Sequence, residues 1–198
     1  MRKIKISPLT IIWIAYLTYA NSSIFPHLIL AISIHELGHI FLAKCLRIKI
    51  KSFDMSPLGA KIEIAHEISY KQEFLLAFGG PLFGLVGIAL AVPFVKFSQN
   101  ILIFIVISLC LNIFNLLPIP TFDGGRMLKC LIFSCFPLRP SQKIVSIISF
   151  LSAFCLWLFT VYLLIKMAFG ISMLIFCSIF FAKCFVSNEK NGDFKSFW

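Results

Sequence analysis

The sequence predicts an all-α membrane protein with about six transmembrane helices, a short β-hairpin after the second helix and a broken helix or loop after the fourth. Two observations carry the prediction of a membrane protein. Of the 198 residues, 60% are apolar, 13% are charged and 23 are Phe, a composition typical of membrane proteins. A helix needs about 20 apolar residues to cross a bilayer core ~30 Å thick, and the chain offers six such stretches.

The six apolar stretches follow one another along most of the chain. They span residues 8–24, 25–47, 74–96, 99–118, 144–165 and 168–186. The basic N-terminus followed by an apolar run is also typical of a signal peptide. Because no small-residue cleavage site is convincing around Ala20, we interpret the first stretch as a helix. We therefore expect an integral-membrane domain over residues 1–186 and a polar cytoplasmic tail over residues 187–198.

The net charge of +10 indicates membrane orientation rather than a nucleic-acid partner. If the N-terminus is cytoplasmic, all basic residues except Lys96 and Lys166 fall on the cytoplasmic side of the predicted spans. Cytoplasmic loops of membrane proteins carry an excess of Lys and Arg. The pattern predicts a multi-pass protein of a bacterial cell membrane with both termini in the cytoplasm.

The second apolar stretch contains His35-Glu36-Leu37-Gly38-His39. On a helix, His35 and His39 lie one turn apart on the same face, so two imidazoles can reach one ion. Zinc suits this pair because it accepts nitrogen and oxygen ligands and keeps one position for water in catalytic sites. Glu36 is then the general base toward that water. A charge inside a span costs roughly 2.5–3.5 kcal/mol on insertion scales, which favours a functional role over a chance match.

The fourth apolar stretch ends in a segment with two prolines and two glycines, Asn115-Leu-Leu-Pro118-Ile-Pro120-Thr-Phe-Asp123-Gly124-Gly. Proline removes backbone donors and glycine permits unusual dihedral angles, so a helix should break here. The second and fourth stretches cross the membrane in the same direction, which puts Asp123 on the same side as the two histidines and makes it the favoured third zinc ligand. Asn115 is expected to bind an extended substrate backbone. Pro118, Pro120 and Gly124 are predicted to contact the substrate as well.

The segment between the second and third stretches alternates apolar and polar residues around Pro57-Leu58-Gly59. This alternation predicts a short hairpin. The hairpin either receives an extended peptide at its free edge or is a plain connection on the membrane surface, and the sequence favours neither reading. We interpret His66 as a surface residue and His27 as an interfacial residue.

Small residues recur in the third stretch at Gly80, Gly84 and Gly87. Small residues let helices approach closely in lipid, where van der Waals packing is a main source of association energy. Close helix packing is therefore the prediction. A break at Gly79-Gly80-Pro81 that lines a polar cavity is the alternative.

The two polar motifs resemble those of the site-2 protease family of intramembrane zinc metalloproteases. The Gly-Gly-Pro element and the hairpin are most similar to the branch that contains the stage IV sporulation protein FB. The resemblance implies one zinc ion per chain, held by His35, His39 and Asp123. It also implies that Glu36 is the catalytic acid and base.

We therefore expect hydrolysis of a peptide bond in or near the span of a membrane-tethered protein, in a sporulation or sigma-factor pathway. The expected partners are that substrate, the lipid bilayer and a membrane regulatory protein. Two alternatives stay open, a metal-ion transporter and a catalytically inactive membrane scaffold. The sequence shows no inverted repeat of the kind found in transporters, and the intact Glu36 argues against a scaffold.

Overall fold

The structure, a computed structural model, describes residues 3–6, 24–56, 59–64, 68–167 and 178. The chain divides into two compact units, residues 1–116 and 117–198. In chain order the described elements are β1 (Lys3–Ile6), α1 (Phe25–Cys45), β2 (Ile50–Ser56), β3 (Gly59–Ile64), α2 (Tyr70–Ala91), a 3-10 helix (Val92–Phe97), α3 (Gln99–Asn115), α4 (Asp123–Cys135) and α5 (Leu138–Met167).

The expected number of about six membrane-crossing helices is not what the described residues contain. Three helical segments are long and apolar enough to cross a bilayer: Phe25–Cys45, Tyr70–Phe97 and Leu138–Leu163. Helix α3, with 17 residues, rises only about 26 Å, which is less than the ~30 Å core. The stretches predicted at 8–24 and 168–186 lie almost entirely outside the described residues. The three long apolar helices identify an integral membrane protein.

The expectation of an all-α protein is also wrong, because the described chain contains a three-stranded sheet in the order β1-β2-β3. Strands β2 and β3 are antiparallel, with Phe53 opposite Ile62. Strand β1 is parallel to β2, with Ile4 opposite Phe53. The two strands expected as a separate hairpin are therefore part of a larger sheet, and β2 has a partner on both sides. The predicted turn at residues 57–58 and His66 lie outside the described residues.

Helix α1 ends in a Schellman motif, a pair of hydrogen bonds that closes the last helical turn. The N–H of Ile48 donates to the Ala43 carbonyl at 2.8 Å, and the N–H of Arg47 donates to the Lys44 carbonyl at 3.1 Å. Arg47 has a φ of 55°, the left-handed conformation that this motif requires. The motif brings Ile48 back onto Ala43, and both pack against Leu76 of α2.

Helix α2 begins with a capping box. The Ser69 hydroxyl accepts from the Gln72 N–H at 3.3 Å, and the Ser69 N–H donates to the Gln72 side chain at 3.1 Å. The helix then continues to Ala91 with Pro81 inside it, so the alternative of a break at this proline is wrong.

Helices α1 and α2 meet with their backbones in contact. A Cβ on Gly79 would lie 2.7 Å from the Gly38 carbonyl oxygen. A Cβ on Gly87 would be 3.4 Å from Ile34 of α1. The predicted close approach of helices at the small residues of this stretch is thus confirmed.

The second unit begins with a loop over residues 117–122 that contains both prolines of the second motif. Helix α4 follows, and it is absent from the sequence prediction because 13 residues are too few to cross a bilayer. A cluster of apolar side chains holds the loop to α5, with Ile119 fully buried beside Ala153. The Ser141 hydroxyl donates to the Pro137 carbonyl at 2.8 Å in the first turn of α5.

Candidate metal centre

His35 and His39 are buried on one face of α1 where it packs against α2. They are 3% and 5% exposed, and their Nε2 atoms lie 3.3 Å apart. Two nitrogen ligands at 2.0–2.1 Å from a tetrahedral zinc ion are separated by about 3.3–3.4 Å. The two imidazoles therefore have the spacing that a shared zinc ion requires.

The tautomer of His39 is set by a backbone group of α2. Its Nδ1 lies 2.8 Å from the carbonyl oxygen of Leu76. A carbonyl only accepts hydrogen bonds, so Nδ1–H is the donor and, in the neutral ring, Nε2 presents its lone pair. Metal-binding histidines are commonly oriented in this way by a carbonyl on the second nitrogen. The bond leaves the correct nitrogen of His39 to bind an ion.

Space at the two nitrogens depends on a glycine. A Cβ on Gly80 of α2 would overlap the Nε2 atoms of both His35 and His39. Any larger residue would occupy the position in front of the lone pairs. The donor type, the spacing and this space together fit a metal ion bound by imidazole.

Glu36 follows His35 directly on α1 and is half-buried. Consecutive residues on a helix point about 100° apart, so Glu36 projects from a face adjacent to that of the two histidines. This is the position expected of a group that acts on a molecule bound at the site without being one of the two imidazole ligands.

In the second unit, Asp123 is the first residue of α4 and is 8% exposed. Its Oδ1 lies 3.9 Å from Nη1 of Arg126, one turn further along the helix. A helix N-terminus favours a negative charge, which helps to keep a buried carboxylate at this position. Gly125 lets the helix start against the loop, since a Cβ there would overlap the Ile119 carbonyl.

The other residues of the second motif fall on both sides of the boundary between the units. Asn115 is the last residue of α3 in the first unit and is half-buried. Pro118 and Pro120 lie half-buried in the loop, and Gly124 is buried in the first turn of α4.

Two groups near the histidines are absent from the sequence prediction. The first is the Leu76 carbonyl, which no residue pattern reveals because it is a backbone atom of a different helix. The second is Asn112 on α3, which is 2% exposed and lies against Gly84 of α2. The signal for Asn112 is in the sequence, since it is an amide inside an apolar stretch, four residues after Ser108.

Comparison with known proteins identifies the family whose sequences this chain matches. The model of a family described as Peptidase family M50 matches residues 24–100 and 89–159, more than half of the chain. A zinc metalloprotease of Methanocaldococcus jannaschii is 30% identical over 126 residues, which are 60% of this chain and 37% of that protein. The stage IV sporulation protein FB of Bacillus subtilis is 30% identical over 123 residues, which are 59% of this chain and 43% of that protein. The alignments thus cover less than half of these two relatives.

Among solved structures, the site-2 protease from Methanocaldococcus jannaschii matches with a TM-score of 0.63 and 21% identity. The match covers 92% of this chain and 89% of that chain, and it shows a shared fold. The M50 match includes both the helix with the two histidines and the segment that begins α4. The resemblance seen in the sequence is confirmed, and the chain belongs to Peptidase family M50.

Proposed function

We propose that this chain is an intramembrane zinc metalloprotease that hydrolyses a peptide bond in or near the span of a membrane-tethered protein. The observation that carries the proposal is the 3.3 Å separation of the two buried Nε2 atoms, with His39 oriented by the Leu76 carbonyl. Membership of Peptidase family M50 supports the same reaction.

A catalytic zinc site takes three protein ligands and a water molecule. In the proposed site His35 and His39 supply two nitrogens, and Asp123 supplies an oxygen. The burial of the Asp123 carboxylate supports this assignment, because buried charges are usually paired or bound to metal. When bound, zinc polarises a carbonyl group and lowers the pKa of a coordinated water.

Glu36 carries the proton in the proposed reaction. Its carboxylate accepts a proton from the attacking water as the new C–O bond forms at the scissile carbonyl. It then donates that proton to the amine nitrogen as the C–N bond breaks, so the carboxylate is regenerated. Asn115, Pro118, Pro120 and Gly124 are proposed to contact the substrate beside the cut.

The substrate has to present an extended segment, because a peptide bond inside a helix is shielded by its neighbours. Gly or Pro near the cut weakens the helix, so we expect such substrates to be preferred. The proposed partners are a membrane-tethered substrate and a membrane regulatory protein. A role in a sporulation or sigma-factor pathway stays a prediction, supported by the similarity to the stage IV sporulation protein FB.

Glu36→Gln tests catalysis. The amide has nearly the shape of the carboxylate but cannot accept the water's proton at neutral pH. A general base contributes about 10²–10⁴-fold, so we expect a rate loss in that range or beyond. The measurement is cleavage of a tethered reporter whose single span carries a central Gly-Pro step, in membranes with equal protein and zinc content.

Zinc content separates this reaction from other roles of the same residues. Glu36→Gln should retain about one zinc per chain, whereas His35→Ala, His39→Ala and Asp123→Ala should lose most of it. Equal cleavage by wild type and Glu36→Gln would refute the protease, and altered metal flux without cleavage would indicate a transporter. Full zinc in Asp123→Ala would remove that residue from the ligand set, with Asn115 or His66 to be tested next.

We further propose a bacterial cell membrane as the location, with both termini in the cytoplasm. The support is the exposed basic group at the end of α1, which includes Lys44 and Arg47. In a variant whose only cysteine is Cys45, an impermeant maleimide should label inside-out vesicles and leave intact cells unlabelled. A control variant whose only cysteine comes from Ser98→Cys should show the opposite pattern, and labelling of Cys45 in intact cells would overturn the orientation.

A further inference from the structure

The buried face of α3, an apolar helix, carries two polar side chains. Asn112 is 2% exposed and Ser108 is 3% exposed. Neither amide atom of Asn112, nor the Ser108 hydroxyl, makes a hydrogen bond within the part of the chain that the structure describes. A buried polar group without a partner costs about 1–3 kcal/mol, so these residues do not serve stability.

Two glycines on α2, four residues apart, show where Asn112 lies relative to the histidines. Gly80 faces the Nε2 atoms of His35 and His39, and Gly84 faces the amide of Asn112, since a Cβ on either glycine would overlap those atoms. Residues four apart on a helix lie on one face, with their Cβ positions about 5–6 Å apart. The Asn112 amide thus lies against the same face of α2 as the two nitrogens, about one helical turn further along.

Ser108 continues this row by one more turn of α3. The next residue in the row, Phe104, lines an apolar cavity of about 490 Å³ together with Ile34 and Gly87. Among the buried residues of α3 that the structure describes, Asn112 and Ser108 are polar, and the cavity beyond them is lined mainly by apolar side chains.

An extended peptide matches this row in both spacing and chemistry. Backbone groups on one side of an extended chain recur every two residues, about 6.6–6.8 Å, which is close to the 5–6 Å between successive turns. A peptide unit offers one donor and one acceptor. The Asn112 amide and the Ser108 hydroxyl can each donate and accept, so both can bind any sequence through its backbone.

We infer that Asn112, with Ser108 beyond it, hydrogen-bonds the backbone of the substrate segment that flanks the scissile bond. The inference rests on the proposed protease function and names how that site holds its substrate. Asn112 is a positioning residue that pairs with a peptide unit about two residues from the cut. Recognition through the backbone makes this part of the site tolerant of substrate side chains, as a protease for apolar spans requires.

The test measures substrate binding without catalysis. In the Glu36→Gln background in lipid nanodiscs, a labelled Leu-rich transmembrane peptide with a central Gly-Pro step is titrated against the chain with Asn112 or with Asn112→Leu. Each backbone amide within four residues of the Gly-Pro step, except the Gly–Pro bond itself, is replaced in turn by an ester, which removes one N–H donor. Ser149→Ala on α5 is the control, because like Asn112→Leu it removes a buried polar group that has no partner among the described residues.

We expect Asn112→Leu to weaken binding about 3- to 10-fold, with zinc content unchanged and thermal stability equal or higher. In the protein that keeps Asn112, one ester about two residues from the cut should weaken peptide binding by a similar factor. In the Asn112→Leu protein, the same ester should weaken binding no further. Ser149→Ala should bind like its parent. If Asn112→Leu does not fold, Asn112→Ala takes its place, since a smaller side chain fits against Gly84.

Two results would overturn the inference while leaving the protease intact. These are unchanged binding in Asn112→Leu, or identical ester profiles with and without the amide. Cleavage of the Gly-Pro reporter by the wild type, measured in parallel, distinguishes failure of this inference from failure of the proposed protease function. If the wild type does not cleave it and the Glu36→Gln form binds no peptide, the proposed function fails and this inference falls with it.

Discussion

Two faces meet in the first unit, one formed by α1 and α2 and the other by α3, and we call them the two walls. Their buried polar groups differ in whether they have hydrogen-bond partners. On the wall made by α1 and α2, His39 donates to the Leu76 carbonyl, and Gly80 leaves a defined space at the histidine nitrogens. On the α3 wall, Asn112 and Ser108 are as deeply buried but have no partner in the described chain. The contrast indicates that the histidine side is preorganised, whereas Asn112 and Ser108 keep hydrogen-bonding capacity that the proposed substrate would use.

The largest expected effect concerns the packing of Leu76, the α2 residue whose carbonyl accepts the hydrogen bond from His39. Leu76 is fully buried against Ala43 and Ile48, so Leu76→Ala leaves a cavity and should lower the free energy of unfolding by about 2–5 kcal/mol. Leu75→Ala is the matched control, because Leu75 is 41% exposed and should cost under about 1 kcal/mol. Thermal unfolding in detergent measures both, and equal losses would show that this cluster does not support the wall.

The next effect concerns the space at the histidines. Gly80→Ala puts a methyl group onto both Nε2 atoms, so we expect loss of zinc and a destabilisation of about 1–3 kcal/mol. Gly87→Ala adds the same methyl group at 3.4 Å from Ile34 and should keep its zinc. Metal analysis of the purified variants checks the prediction. A full complement of zinc in Gly80→Ala would mean that the histidines bind metal in a different arrangement.

The smallest effect concerns the α3 wall. Ser108→Ala and Ser149→Ala each remove a buried hydroxyl that lacks a partner among the described residues, so each should change stability by less than about 1 kcal/mol, towards higher stability. Binding of the Gly-Pro peptide should separate them, with a loss in Ser108→Ala alone. A clear destabilisation by Ser108→Ala would show that its hydroxyl is a structural group, and the comparison between the two walls would fail.

The sequence predicts the face shared by His35 and His39, because their spacing equals one helical turn and helices impose that geometry locally. It does not predict the Leu76 carbonyl beside His39, since that contact joins residues 37 positions apart and involves a backbone atom. Asn112 is visible in the sequence only as an amide in an apolar stretch, and its burial depends on Gly84 in another helix.

Strand β1 and helix α4 are not predicted from the sequence, for two different reasons. Strand β1 alternates Lys and Ile over four residues, which is too short to distinguish from a basic tail, and its parallel partner β2 lies beyond a whole helix. Helix α4 follows a segment whose prolines and glycines correctly indicate irregular backbone, but nothing there marks where helix resumes. Both depend on tertiary contacts that composition does not encode.

The attachment of α1 to α2 has a mechanical consequence. The histidines lie between two contacts of α1 with α2, that of Ile34 with Gly87 and the apolar cluster closed by the Schellman turn at Ile48, and the backbone contact of Gly38 with Gly79 lies between them. A short helical segment that is held at both ends bends little. We therefore expect α1 and α2 to move as one body. If a substrate strand enters as proposed, we expect α3 to move away from α2, because their separation breaks no hydrogen bond at Asn112.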